Sequence, residues 1–404
     1  MTRTATPALS AHPAAPGRMS RQAALWLNAS LLLTYLAAST APSPLYALYR
    51  EAWGFSALTL TVVFSTYAFA LLAALMFFGA LSDHLGRRAV VLASLALEIA
   101  SILVFRHADS VGWLLAARAV QGLATGIATS ALSAGMLDVD RERGALFNSV
   151  APMLGMGLGA LGAGALAQFA PAPMQRVFDV LLATLAVQAV AAFFLPETVT
   201  RRPGALASMR PRLAVPARAR ATLWQVLPVN TAAWALGGFY ASLGPSLARI
   251  VTGLHSPLLG GGVVASLVLS GAVAILAVRL RAARAVLMGG TAALVAGVCV
   301  TLGGVQLHST ALFFAGSIVA GLGFGAAFNG TLRSLVPLAE AHERAALMAT
   351  FFVLSYLAFS VPAIVAGLFV GQVGLQAASV GYGALLVMLG VAALAMMGRS
   401  RRAE

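Results

Sequence analysis

Two ionisable residues stand deep inside long apolar runs: Glu98, within roughly 89–106, and Arg118, within roughly 111–136. A charge set that far into an apolar segment is costly and marks a functional candidate by default. Counted from the same ends of their runs, the two lie at similar depth, so a pairing between neighbouring segments is allowed. A carboxyl facing a guanidinium in such a place could take up and release a proton. The same residues could equally form a structural pair, or Arg118 could anchor helices through their carbonyl groups. A second cluster crowds one short turn, Gly79-Ala-Leu-Ser-Asp83-His-Leu-Gly86-Arg87-Arg88, set between two apolar runs. There Asp83 can meet a helix N-terminus, where the dipole favours negative charge. Arg87 and Arg88 can meet acids or lipid phosphate, and Gly79 permits close helix approach.

The elements that must position these groups follow from composition. The chain has 404 residues, 60% of them hydrophobic and only 9% charged, with a mean hydropathy of +0.89. A soluble protein of that length needs a more polar surface. Apolar runs of at least about 18 residues recur, long enough to cross a bilayer as helices, and lipid leaves no other way to pair the backbone of a single segment. The expected architecture is an all-α membrane protein with twelve spans in two six-helix bundles. The spans fall near 24–47, 58–82, 89–106, 111–136, 145–169, 177–196, 223–249, 257–279, 285–306, 310–335, 345–370 and 374–397. The implied organisation is a cytoplasmic tail (1–22), a first bundle (23–196), a cytoplasmic linker (197–222), a second bundle (223–398) and a tail (399–404).

All 26 basic residues are arginine, and the net charge is +14. With the N-terminus inside, 21 of these arginines fall in cytoplasmic segments and four (Arg50, Arg106, Arg176, Arg249) in outer loops. That asymmetry expresses the positive-inside rule rather than nucleic-acid binding, and it predicts two cytoplasmic termini. The arginine- and alanine-rich composition predicts a bacterial inner membrane. A single cysteine, Cys299, excludes an internal disulfide, and no metal or cofactor site is expected. Without lysine there is no phosphate-binding Gly-Lys-Ser/Thr motif, so the chain is not its own ATP motor.

The halves echo each other. Arg141-Glu142-Arg143-Gly-Ala-Leu corresponds to His342-Glu343-Arg344-Ala-Ala-Leu, Pro44 to Pro245, and Asn28 to Asn230, at offsets of 201 or 202. Pro42 and Pro44, with Gly244 and Pro245, break helical regularity where outer gates would bend, or simply end helices.

The turn Gly79–Arg88 resembles the signature of the major facilitator superfamily, Gly-x-Leu-x-Asp-x-x-Gly-Arg-Arg/Lys, at every fixed position. Arg118-Ala-Val-Gln121-Gly122 is similar to the family's Arg-x-x-x-Gly pattern, and Leu195-Pro196-Glu197-Thr198 to the end of span 6 in efflux-type branches. The resemblance covers the chain after its tail. It departs at Gly159-Ala160-Leu-Gly162-Ala163-Gly164, where antiporter branches carry a proline. It departs again at Arg279-Leu-Arg281-Ala-Ala-Arg284, the second-half counterpart of the turn, which lacks its Asp and Gly. The family implies a conformational switch at Gly79, Asp83, Gly86, Arg87 and Arg88, with Asp83 reaching the start of span 11 near Ala345 in the outward-facing state. It also implies a part in proton transfer for Arg118; Glu98, whose span is peripheral in the family fold, is a candidate proton carrier on its depth alone and equally a structural partner. Its cavity-lining spans suggest Asn28, Tyr35, Tyr67, Gln121, Asn230, Trp234, Tyr240 and Asn329, with Thr34 beside them.

No acid is among those cavity candidates, which suits a small neutral amphipathic or anionic substrate better than a cation. The expected function is alternating-access secondary transport, proton-coupled and exporting, by a monomer in the lipid bilayer. The alternatives are a uniporter or importer for a metabolite or sugar, and a non-transporting sensor. An intramembrane enzyme would need clustered catalytic groups, and the six histidines are scattered. A channel would need a filter or a charged ring.

Overall fold

The computed structural model describes residues 19–340 and 342–400. Its sixteen α-helices among these residues are α1 (Arg21–Thr40), α2 (Pro42–Trp53), α3 (Ala57–Phe78), α4 (Leu81–Leu85), α5 (Arg87–Arg106), α6 (Val111–Val139), α7 (Arg141–Phe169), α8 (Pro173–Ala192), α9 (Ala205–Ser208), α10 (Ala217–Ser242), α11 (Gly244–Thr252), α12 (Pro257–Val278), α13 (Ala283–Gln306), α14 (Thr310–Leu335), α15 (Arg344–Val373) and α16 (Leu375–Ser400). No strand occurs among the described residues. The expected tails lie mostly outside them, including Arg3, Arg18 and residues 401–404.

Among the described residues, eleven helical segments are long and apolar enough to cross a membrane, α1 and α2 counting as one. The remaining expected span, 223–249, is α10 followed by α11. It falls short on composition: α10 carries Arg218, Arg220, Gln225, Asn230 and Pro228. Most of its second half is nevertheless buried, from Ala232 to Ser242 with few exceptions, because it packs on α15, α16 and α14. Those polar residues gather ahead of that stretch, where Arg218 and Arg220 are exposed at the helix start and Asn230 is buried against Ser355 of α15.

Helix ends follow local chemistry. Ser56, Ser256 and Ser309 accept from the backbone N–H three residues on, and Asp140 does so for α7, each satisfying an otherwise orphaned donor. The pairs α1/α2 and α10/α11 bend where Pro42 and Pro245 enter the chain, a position where a missing N–H costs little.

The two halves meet along two seams, α7 against α12 and α3 against α15. In the first seam the backbones almost touch. A Cβ on Gly164 would lie 2.6 Å from the carbonyl oxygen of Pro257, and one on Gly261 would overlap that of Ala160. In the second, Phe64 packs on Phe359 with ring centroids 5.0 Å apart, and Ser65 Oγ donates to the carbonyl of Ser360 at 3.4 Å.

Candidate functional site

Both deeply set charges lie within the first half and are fully buried. Arg118, on α6, donates through Nη1 to the carbonyl of Ser39 at 2.8 Å and to Gln121 Oε1 at 2.7 Å. Gln121 then donates through Nε2 to the carbonyl of Ala38 at 3.1 Å and to Glu98 Oε1 at 3.3 Å. The pairing allowed by their depths is therefore relayed: an amide stands between carboxylate and guanidinium. Gln121 is one helical turn from Arg118, which puts both on the same face of α6. The guanidinium also lies over the rings of Tyr67, Phe64 and Tyr46, at 4.7, 5.8 and 5.9 Å from their centroids. Ring faces are a fitting surround for a cation shut away from water. Arg118 Nε and Nη2, Glu98 Oε2 and the hydroxyls of Tyr46 and Tyr67 are buried without a hydrogen-bond partner. The relay thus keeps unused donor and acceptor capacity in an apolar setting, where an unmade bond is expensive.

The Gly79–Arg88 turn is a small charge lattice at one end of the bundle. Asp83 and Arg87 pair at 2.6 Å, one turn apart across α4 and α5. Arg87 also reaches Asp138 Oδ2 at 3.2 Å and Ser82 Oγ at 2.6 Å, and Thr198 Oγ1 donates to the same Asp138 oxygen at 2.8 Å. Glu197 closes the lattice. Its carboxylate accepts from the backbone N–H of Arg87 at 2.7 Å and of Arg88 at 3.3 Å, capping α5 where the helix dipole favours a negative charge. Gly86 makes this possible, since its φ of +97° suits glycine and a Cβ there would strike the Glu197 carboxylate. The Leu-Pro-Glu-Thr stretch and the turn are therefore two parts of one device. Arg88 donates to the carbonyl of Phe193 at 3.4 Å. Gly79 lies beside Ser130 of α6.

Asp83 also faces a cavity of about 520 Å³ between the halves, lined across from it by Ala345, Ala346, Ala349 and Phe352 of α15. The linker forms part of the rim through Ala207, Ser208, Arg210 and Arg212. It is held to both sides: His84 Nδ1 lies 3.1 and 3.2 Å from the carbonyls of Arg202 and Pro203, and Thr350 Oγ1 donates to Ala214 at 3.4 Å. The expected contact of Asp83 with the start of α15 is not made here, because the cavity separates them.

The opposite end is shut. Glu51, after α2's proline-rich start, pairs with Arg249 of α11 at 2.5 Å, joining the two halves. Gln168 accepts from Ser256 Oγ at 2.5 Å and from Leu258 N–H at 3.3 Å, joining α7 to α12. Pro44 and Pro245 border the small space around the ion pair, and Pro245 packs on Gly260. Gly244 and Pro42 are buried beside them. Sequence reading missed this clasp because it counted Arg249 only as loop charge. The signal was present: Pro44 is followed by Arg50-Glu51 and Pro245 by Arg249, so the first half carries an acid at the end where the second half carries only a base.

The proposed cavity residues do not converge on one space. Tyr35 bonds Ser94 Oγ at 3.0 Å, and Tyr240 bonds Ser317 Oγ at 2.8 Å, each inside its own half. Asn230 donates to Ser355 Oγ at 3.0 Å, Gln121 belongs to the relay, and Thr34 accepts from Gln188 at 2.9 Å. Asn28 borders a narrow space near Arg87 and Thr198. Polar side chains within an apolar bundle seek partners on neighbouring helices of the same half. Tyr67 and Trp234 sit instead between the halves, in a cluster with Phe64, Tyr356 and Phe359, and Trp234 Nε1 and Asn329 Oδ1 are buried without partners. Leu75 packs against that cluster and also lines the large cavity.

Many apolar helices in two packed halves, closed at one end and hollow at the other, define a multi-pass membrane transporter. The chain belongs to the Major Facilitator Superfamily, whose family model matches residues 27–306. Two solved structures share the fold. The human organic anion transporter MFSD10 (TETRAN) is similar with a TM-score of 0.67 and 21% identity, over 93% of this chain and 100% of that one. A bacterial homolog of the human lysosomal transporter Spinster, inward-facing and unoccupied, has a TM-score of 0.72 and 14% identity, over 93% of this chain and 97% of that one. No curated protein sequence matches.

Proposed function

We propose that the protein is a proton-coupled exporter of small neutral amphipathic or anionic molecules, working by alternating access. It acts as a monomer in a bacterial inner membrane with both termini in the cytoplasm. The observation that carries this reading is the buried Arg118–Gln121–Glu98 relay. A transporter without ion coupling has no need of a carboxyl at that depth, whereas a carboxyl that gains and loses a proton changes the charge of the whole relay. Proton loss leaves Glu98 negative near Arg118 and favours a compact first half, while proton uptake weakens that hold. The arginine asymmetry supports an inward orientation for the end bearing Asp83. In that orientation the present conformation is open to the cytoplasm, and Glu51–Arg249 is its outer clasp.

Asp83 is a switch by position. When the halves rock and the cavity collapses, its carboxylate approaches the N-terminus of α15, a favourable meeting of charge and dipole. The substrate class is supported by the arginines on the rim, Arg210 and Arg212, and by the pairing of Asp83 with Arg87. The solved relative described as an organic anion transporter agrees with it.

The deciding experiment is a substrate screen in proteoliposomes under an imposed proton gradient, run beside Asp83→Asn. Gradient-driven flux that Asp83→Asn abolishes, with unchanged insertion, is the expected result. Flux independent of the gradient favours a uniporter, and absence of flux for every compound favours a sensor.

A further inference from the structure

The second-half counterpart of the charged turn kept its cations and lost its acid. Arg279-Leu280-Arg281-Ala282-Ala283-Arg284 joins α12 to α13 and contains no carboxylate. It lies at the same end as Asp83. Arg333, at the foot of α14, donates to the carbonyl of Arg281 at 2.7 Å, and the chain then runs on to the start of α15 at the cavity. Arg284 donates to the carbonyl of Met397 at 3.0 Å. Arg279 and Arg281 are exposed, and neither side chain makes an ion pair or hydrogen bond among the described residues.

Beside them a groove of about 340 Å³ runs between α12, α13 and α14. Its walls include Ala277, Ala285, Gly289 and Leu322, and Arg281 is its one charged lining residue. Val273, on the same helix as one wall, is 58% exposed, and Leu280 at the turn is 89% exposed. In a chain that spans a membrane, this apolar face meets lipid. The groove is therefore apolar along its length and cationic at the end where a headgroup would lie.

We propose that the groove is a binding site for one anionic phospholipid, with an acyl chain between α12, α13 and α14 and its phosphate held by Arg279 and Arg281. Charge complementarity selects this occupant. A zwitterionic lipid would bring an ammonium group to a turn that offers no acid to receive it. A helix from another protein would have to carry a carboxylate to Arg281 at the mouth of a groove otherwise lined by apolar residues. Basic pockets between transmembrane helices bind anionic headgroups on the same physical terms. The site rests on membrane location alone and is independent of the transport reading.

The test is native mass spectrometry of the delipidated full-length protein, after addition of dioleoyl phosphatidylglycerol or dioleoyl phosphatidylcholine. The protein should retain the phosphatidylglycerol severalfold more than the phosphatidylcholine. Arg279→Gln with Arg281→Gln should remove that preference while leaving chain uptake. Gly289→Leu should lower uptake of both lipids. A Cβ on Gly289 meets no atom within 4 Å, so the new side chain enters the groove without displacing the fold. Equal retention of the two lipids by the native protein overturns the proposal. So does unchanged retention in either variant, and if one variant misfolds the other decides.

Discussion

At the scale of single residues, the chemistry rests on carboxylates that each do a different job. Glu197 is a helix cap that sits more than a hundred residues from the helix it serves, with both oxygens on the first N–H groups of α5. Replacing it with Ala should destabilise the protein by about 0.5–2 kcal/mol, the usual cost of a lost cap, read as a lowered Tm in detergent. Glu98→Gln keeps the hydrogen bond from Gln121 available but removes the carboxyl that the proposed proton coupling needs. Transport by that variant should lose its dependence on the proton gradient, with normal expression. A pH profile identical to the native one would return Glu98 to a structural part. Much of this was legible beforehand, because Glu98 and Arg118 are the wrong residue types for their surroundings. The intervening Gln121 was not, since an amide placed among small residues carries no signal of which neighbours it will join. Five of the polar residues expected at a cavity (Tyr35, Gln121, Asn230, Tyr240 and Thr34) instead bond within their own half. Residue type announces polarity and span, but not the direction in which a side chain leaves its helix.

At the scale of elements, the spans were readable because lipid imposes both length and hydropathy, and most helix limits lie within a few residues of expectation. Two limits depart furthest: α2 runs on to Trp53, and α10 extends back through Arg218 and Arg220 to Ala217. That extension is fastened by Arg218, which pairs with Glu340 at 2.9 Å and also with Glu343. The Glu343 carboxyl is held below its ordinary value of 4.5, first by the backbone N–H of Glu340 and then by Arg218. A lowered folded value means that the stabilisation is complete above the ordinary value and is lost as pH falls through the lowered one. The exchange protection of the amides around Leu347, taken relative to the intrinsic rate at each pH, should therefore fall on acidification below 4.5, and less so in Arg218→Gln, where part of the effect is already gone. The α7–α12 seam makes a second test. Gly261→Leu forces a side chain into the Ala160 carbonyl and should cost about 1–3 kcal/mol, seen in thermal unfolding.

At the scale of the whole molecule, one end is clasped and the other hollow, and the proposed alternating access requires the clasped end to part. The Glu51–Arg249 pair joins the halves at that end, with side chains 54% and 25% exposed. A pair so placed contributes roughly 0.2–1 kcal/mol, which shifts the balance by up to about fivefold. Glu51→Gln should raise thiol labelling of an introduced Ala47→Cys by that order. The charge exchange Glu51→Arg with Arg249→Glu should return it toward the native rate. Unchanged labelling in Glu51→Gln would remove the pair from the gate.

The linker crosses the hollow end from one half to the other. It is fastened to His84 on one side of the hollow end and to Thr350 on the other. The chain between those anchors, from Pro203 to Ala214, can reach about 38 Å if fully drawn out, at some 3.5 Å per residue. The short turn of α9 takes up the slack in that span. In the proposed alternating-access cycle such a strap is a leash, and deleting residues from it should shorten the stroke without touching a single binding group.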